Sequence, residues 1–260
     1  MSYENILLEN AQSVATVTVN RPKVMNALNE KTLTELAHAF DAIAADPAVR
    51  GVVVTGAGEK AFVAGADINE LAQMKAMEAK EKAFFGQQVF ARLETMGKPS
   101  IAMINGFALG GGCELALACT LRTAATSAKL GLPEVGLGII PGYGGTQRLA
   151  RIAGPGVARE WVLTGGMFSA EEAHRVGIVN RLYAPEALRE GTFEFLHSIL
   201  SKGPVAVRLG MEAIRRGIGV TQTEGELMEC DMFGLASTTA DMREGMAAFL
   251  EKRKPHFEGR

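Results

Sequence analysis

Cysteine is scarce in this sequence. There are three in 260 residues, Cys113, Cys119 and Cys230. An odd set without CxxC spacing excludes a disulfide framework and argues against a zinc site. The four histidines, His38, His174, His197 and His256, fall into no HExxH or HxH pattern, so no metal centre is expected. Neither charge sign dominates: 27 basic residues face 29 acidic ones, for a formal net charge of -2. No global basic field is available to hold nucleic acid or an acidic membrane surface. No apolar run approaches about 20 residues, so no membrane span is expected. The opening stretch MSYENILLEN lacks the basic and apolar regions of a signal peptide, and a cytoplasmic, reducing environment is the default. Tryptophan occurs once, as Trp161, and reads as packing.

Against these absences stand 30 glycines and a hydrophobic share of 47% with 22% charged residues, an ordinary globular composition. The length suits one large domain, or one domain with an appendage. SVATVTVNRP alternates Ala15, Val17 and Val19 with Thr16 and Thr18, which predicts a half-buried strand stopped by Pro22. NEKTLTELAHAFDAIAADP sets Leu33, Leu36, Ala37, Phe40, Ile43 and Ala44 on one helical face, opened by Asn29 or Lys31 and closed by Pro47. GVVVTG reads as a short apolar strand. PSIAMINGFA reads as another, running into a glycine loop and a helix. The alternation predicts an α/β architecture with a covered sheet. After about residue 185 the pattern turns helical throughout, in PEALREGTFEFLHSIL, PVAVRLGMEAIRRG, TEGELMECDMFGLAS and ADMREGMAAFLEKRK. We therefore expect an α/β core over 1–195 and a helical region over 196–260.

Three stretches invite chemistry. In GFALGGGCELALACTL, Gly110, Gly111 and Gly112 run into an apolar helix with Glu114 in its first turn. Glycine lets another molecule approach the main chain. A helix start offers N–H groups without intrahelical acceptors and a partial positive charge. This makes a candidate oxyanion site, with tight helix–strand packing as the alternative. Glu114 could simply complement the helix dipole, but its apolar setting makes a carboxylate costly without a partner or a task. KLGLPEVGLGIIPGYGGTQRLARIAG carries Glu134 in similar surroundings, then PGYGG opening a helix at Thr146. Two acids in two glycine-rich loops suggest a paired-carboxylate site; bracing of the loop is the plainer reading of Glu134. KAFVAGADINEL could offer further free N–H groups ahead of a helix. None of these is a Walker loop, and dinucleotide binding has little support.

Taken together, in this order and over the whole length, these stretches resemble the crotonase (enoyl-CoA hydratase/isomerase) superfamily. RPKVMNALN resembles its early coenzyme A loop and AFVAGADINEL its adenine-pocket and first oxyanion segment. INGFALGGGCELALAC resembles the second oxyanion segment with the first catalytic acid, LPEVGLGIIPGYGGTQRL the segment of the second acid, and AAFLEKRKPHF the C-terminal helix. The resemblance implies an α/β spiral of ββα turns with a C-terminal helical region that builds homotrimers, often paired into hexamers. It implies reversible syn addition of water to a trans-2-enoyl-CoA, giving a 3-hydroxyacyl-CoA, as in β-oxidation of fatty acids. Ala66 and Gly111 would form the oxyanion hole. Glu114 would activate water and Glu134 would deliver a proton to the α carbon. Coenzyme A, part of the substrate rather than a cofactor, would lie along Lys23, Met25, Ala27, Leu28, Ala64, Gly65, Asp67 and Ile68. Phe249 and Lys252 would reach the coenzyme A of a neighbouring subunit, although EKRK also reads as a solvated helix end. Leu109, Gly110, Pro133, Leu137, Gly142 and Tyr143 would line the acyl pocket. Tyr143 replaces a residue commonly small in short-chain hydratases, which suggests a reshaped pocket. Both glutamates favour hydration over isomerisation, with branched or aromatic acyl groups also open. One relative binds AU-rich RNA through a lysine-rich helix; the matching helix here carries only Lys31, so no nucleic-acid partner is expected.

Overall fold

The computed structural model describes residues 3–260; Met1 and Ser2, which open the stretch read above as lacking a leader, lie outside the described residues. The chain divides into two compact units, residues up to 96 with 100–193, and residues 97–99 with 194–260.

The first unit holds two sheets. β1 (Ile6–Ala11) and β2 (Val14–Val19) form an antiparallel hairpin, and β2 continues in parallel onto β3 (Gly51–Gly56). β3, β5 (Ser100–Ile104) and β7 (Leu121–Ala125) run in parallel, and β10 (Arg181–Tyr183) completes a six-stranded sheet in the order β1-β2-β3-β5-β7-β10. The second sheet has the order β4-β6-β8-β9, from β4 (Ala61–Ala64), β6 (Phe107–Leu109), β8 (Lys129–Gly131) and β9 (Met167–Ser169). Successive strands thus alternate between sheets: β3 to β4, β5 to β6, β7 to β8. Helices return the chain: α2 (Ile68–Leu71) and α3 (Ala76–Thr95) after β4, α4 (Gly111–Ala118) after β6, α5 (Gly145–Thr164) after β8. This is a spiral of ββα turns.

Burial explains the local choices. β3 and β5 are largely apolar, with Thr55 and Ser100 the polar exceptions, and every residue of both is buried, as in parallel strands covered on both faces. The strand predicted as half-buried, β2, is more enclosed than its alternation suggests. It lies between β1 and β3, and Thr16 is buried with Ala15 and Val17. α1 (Glu30–Ala45) starts at Asn29, whose side chain accepts the Thr32 N–H at 2.9 Å. It buries Leu33, Leu36, Ala37, Phe40 and Ile43, each contributing roughly 1.5–3 kcal/mol for the larger side chains. Ala44 points to solvent, one position off the predicted face. The run PSIAMINGFA is not one strand. It breaks at Asn105–Gly106, where the Asn105 amide donates to the Gly58 carbonyl (2.7 Å) and the Gly56 carbonyl (3.0 Å), and the chain crosses to the second sheet as β6. α5 also breaks, at Gly154 (φ 84°) before Pro155. After α6 (Ala170–Arg175) and β10, a single turn of 3-10 helix, Pro185–Ala187, leads into α7 (Leu188–Leu200), where the sequence turns helical.

The second unit continues with α8 (Pro204–Gly217), α9 (Gln222–Ser237) and α10 (Ala240–Leu250). α10 stops earlier than the sequence suggests. Lys252 adopts φ 55°, the Lys252 N–H donates to the Phe249 carbonyl and the Arg253 N–H to the Ala248 carbonyl, so EKRK forms a left-handed C-terminal cap rather than a helix end. No helix among the described residues is long and apolar enough to cross a membrane.

Candidate active site

The site grows from the N-terminus of α4. Gly110 precedes the helix at φ 51°, a conformation that penalises any side chain, and its N–H donates to the Gly131 carbonyl at 2.9 Å. A Cβ at Gly112 would stand 1.9 Å from the Val63 carbonyl, so a glycine there lets α4 lie directly on β4. Gly111 is the first helical residue, with an N–H that has no acceptor inside the helix and the positive end of the helix dipole behind it.

Ala66 is oriented by a neighbouring strand. It pairs in parallel with Leu28: the Leu28 N–H donates to the Gly65 carbonyl at 2.9 Å, and the Asp67 N–H donates to the Leu28 carbonyl at 2.8 Å. In such a pair the Ala66 N–H points away from the ladder. Ala66 and Gly111 line one cavity of about 790 Å³.

Glu114 and Glu134 line the same cavity. Glu114, only 1% exposed, turns Oε1 to two backbone donors, Tyr143 N–H at 2.8 Å and Gly145 N–H at 2.7 Å. Burial pushes its pKa up to about 7; Glu134 adds to that rise, and the two N–H donors hold it back. Glu134 lies in the first turn of a 3-10 helix, Pro133–Leu137, and its Oε1 approaches Gly110 closely enough that a Cβ there would stand 2.9 Å away. Burial raises its pKa too. Its Oε2 is buried without a hydrogen-bond partner among the described residues. The arrangement leaves one carboxylate held by N–H donors and a second with an open oxygen, on the same cavity as the Ala66 and Gly111 main chain. That combination suits proton transfer next to a developing oxyanion.

Of the residues expected in the site, Ala64, Gly65, Ile68, Leu109, Gly110, Pro133, Leu137, Gly142 and Tyr143 also line this cavity. Lys23, Met25, Ala27, Leu28 and Asp67 do not. Lys23 and Met25 are exposed on the loop around the Pro22–Val24 turn, Ala27 and Asp67 are half-buried, and Leu28 is wholly buried. This segment nevertheless braces the cavity wall, since the Ala64 N–H donates to the Met25 carbonyl at 3.0 Å. Phe249 and Lys252 belong to the second unit and are exposed. Tyr143 is 5% exposed. Its ring packs on Gly86 of α3, meets Gly111, and stands edge-on to Phe90 at 5.6 Å. Its hydroxyl is buried without a partner among the described residues.

Sequence reasoning overlooked several lining residues, Leu71, Met74, Ala79, Lys82, Ala83 and Gln87 among them. No glycine or isolated acid marks these residues. Those on α3 lie apart from its buried residues Gly86, Val89, Phe90 and Leu93, and no local pattern separates them from an ordinary exposed face. Lys82 pairs with Glu70, and Gln87 donates to the Gly142 carbonyl at 2.8 Å, tying α3 to the loop that carries Tyr143.

Comparisons with known proteins point to one family. The model of the enoyl-CoA hydratase/isomerase family matches residues 9–260. The chain is 51% identical to the crotonyl-CoA hydratase of Syntrophomonas wolfei, covering 99% of each chain. It is 46% identical to the short-chain-enoyl-CoA hydratase of Clostridium acetobutylicum, covering 98% of this chain and 97% of that one. Among solved structures, an enoyl-CoA hydratase from Bacillus anthracis superposes with a TM-score of 0.95 at 43% identity, over 99% of this chain and 100% of that one. By sequence, by fold and by the extent of both matches, the chain belongs to the enoyl-CoA hydratase/isomerase family.

Proposed function

We propose that the chain is an enoyl-CoA hydratase, adding water reversibly across the double bond of a trans-2-enoyl-CoA. The observation that carries this reading is the pair of buried acids, Glu114 and Glu134, on one cavity with the main-chain donors of Ala66 and Gly111. In this mechanism the thioester oxygen sits between the Ala66 and Gly111 N–H groups, which stabilise the enolate as it forms. Each such donor is worth about 2.7–4 kcal/mol in the transition state. Ionised Glu114 takes a proton from water as the water oxygen bonds to the β carbon. Protonated Glu134 passes its proton to the α carbon. The two acids titrate as a pair. Glu114 is ionised, and so able to act as the base, above about pH 7; the Tyr143 and Gly145 N–H groups favour that form, while burial and the absence of a donor at Oε2 among the described residues favour the protonated form of Glu134.

Coenzyme A enters as part of the substrate, and the proposal requires no separate cofactor. Lys23, Met25, Ala27, Leu28, Ala64, Gly65, Asp67 and Ile68 form its bed in this reading. Phe249 and Lys252 serve the coenzyme A of an adjacent subunit in a homotrimer or a pair of trimers, in the cytoplasm. Purified protein with crotonyl-CoA tests the activity. Loss of the conjugated enoyl absorbance with formation of 3-hydroxybutyryl-CoA is the expected result. No loss with crotonyl-CoA or with longer, branched or aromatic enoyl-CoA esters overturns it.

A further inference from the structure

Arg21 lies outside the cavity, yet its guanidinium straddles the backbone pair that aims Ala66. Nη1 donates to the carbonyl of Ala27, the residue before Leu28. Nη2 donates to Asp67 Oδ2 at 3.3 Å, on the residue after Ala66. Leu28 and Ala66 are the two members of the isolated bridge, so one planar side chain grips the flanking residue of each partner. The grip is largely shielded, with both the Arg21 and Asp67 side chains 17% exposed.

Both ends of the clamp are anchored. The Arg21 N–H donates to Asn26 Oδ1 at 3.0 Å, and the Asn26 N–H returns to the Arg21 carbonyl at 2.9 Å. Asn26 is wholly buried and donates through Nδ2 to the Ala57 and Ala61 carbonyls at 3.0 and 2.9 Å. At the far end, Asp67 uses its other oxygen, Oδ1, to accept the Asn69 N–H at 3.2 Å and start α2. Asp67 therefore has one oxygen for the helix and one for Arg21. A guanidinium suits this task because its donors are fixed in a plane, whereas one ammonium would have to choose between the two acceptors.

We propose that Arg21 is a positioning residue for the reaction: it holds the Leu28–Ala66 pair in register, and so fixes the direction of the Ala66 N–H towards the thioester oxygen. The proposal rests on the hydratase reading above. It concerns aim rather than contact with substrate, because Arg21 is not among the residues that line the cavity. A small misdirection of a donor is felt mainly in the transition state, where charge develops on the oxygen.

The test pairs kinetics with carbonyl polarisation. Kinetics use crotonyl-CoA. Polarisation uses butyryl-CoA labelled with carbon-13 at the carbonyl, which lacks the double bond and is not hydrated; infrared difference spectra report how far the carbonyl stretch falls on binding. Wild type is expected to hydrate crotonyl-CoA and to lower the stretch. Arg21→Met is expected to reduce kcat about tenfold with KM changed less than about threefold, and to lose much of the frequency shift at saturating ligand. Arg21→Lys should fall between. Full kcat with the full shift in Arg21→Met overturns the proposal. A rise confined to KM with the shift intact also overturns it, because Arg21 would then support the coenzyme A loop alone. If circular dichroism shows Arg21→Met unfolded, Asp67→Asn keeps the oxygen that starts α2 and weakens only the ion pair. A smaller loss of kcat and of shift is then expected, and none at all overturns the proposal. A wild type that neither hydrates any enoyl-CoA nor shifts the stretch fails the hydratase reading itself.

Discussion

At the scale of residues, the site depends on keeping a carboxylate where water is scarce. Glu114 retains its proton in the folded chain up to about pH 7, while an unfolded glutamate releases it near 4.5. Between those values the folded state binds the extra proton, so stability falls as pH rises through the window, by about 3 kcal/mol in all. Glu114→Gln removes that slope and keeps the oxygen that accepts the Tyr143 and Gly145 N–H groups. We expect this variant to melt at or above the wild-type temperature at pH 8 and to lose about 10²–10⁴-fold in kcat. A drop in melting temperature with hydration intact would mean that the acid is structural. Ionisation of the same group predicts the acid limb of the wild-type pH profile. kcat/KM for hydration should fall below about pH 7, and Glu114→Gln should abolish that limb.

At the scale of elements, two glycines decide how helices meet the site. Gly112 faces the Val63 carbonyl, a backbone group that cannot step aside. Gly86 faces a side chain instead: a Cβ there would stand 2.3 Å from the Tyr143 ring, in the middle of α3 where glycine costs about 1 kcal/mol against alanine. The difference predicts two behaviours. Gly112→Ala should destabilise the protein by roughly 3 kcal/mol or more in urea titrations, with no partner substitution on β4 able to restore it. Gly86→Ala should cost about 1–3 kcal/mol, and adding Tyr143→Ala should recover the part due to overlap, leaving a clear non-additivity in the double-mutant cycle. Equal, additive losses would show that the ring does not need the notch.

At the scale of the whole molecule, the second unit leaves Ile214, Ile218, Leu227, Phe233, Leu235, Met246, Phe249 and Leu250 exposed. Apolar side chains of this size, on three consecutive helices and the turn after the first, favour burial against further protein. The proposed trimer or hexamer predicts a sedimentation mass of three or six chains. Phe233→Glu with Phe249→Glu should shift that mass towards the single chain, whereas a wild type sedimenting as one chain would exclude the assembly.

The sequence by itself determined the α/β class, the helical run after residue 185, and the two glycine-flanked acids. Each rests on local rules: period, helix-start chemistry, and the cost of a carboxylate among apolar residues. It also carried the family motifs from Arg21 to Phe257. Only the tertiary structure decided what those rules leave open. Nothing within PSIAMINGFA says that it splits between two sheets, because either half satisfies a strand pattern. Nothing near Leu71, Met74 or Lys82 marks them as cavity wall, since they come from separate segments that only the fold brings to one cavity. Arg21 and Ala66 are 45 positions apart in sequence, and their relation exists only through the Leu28 pairing. Local propensity acts over a few residues, while a site is made by contacts that the chain closes across tens of them, and that closure is the part the fold supplies.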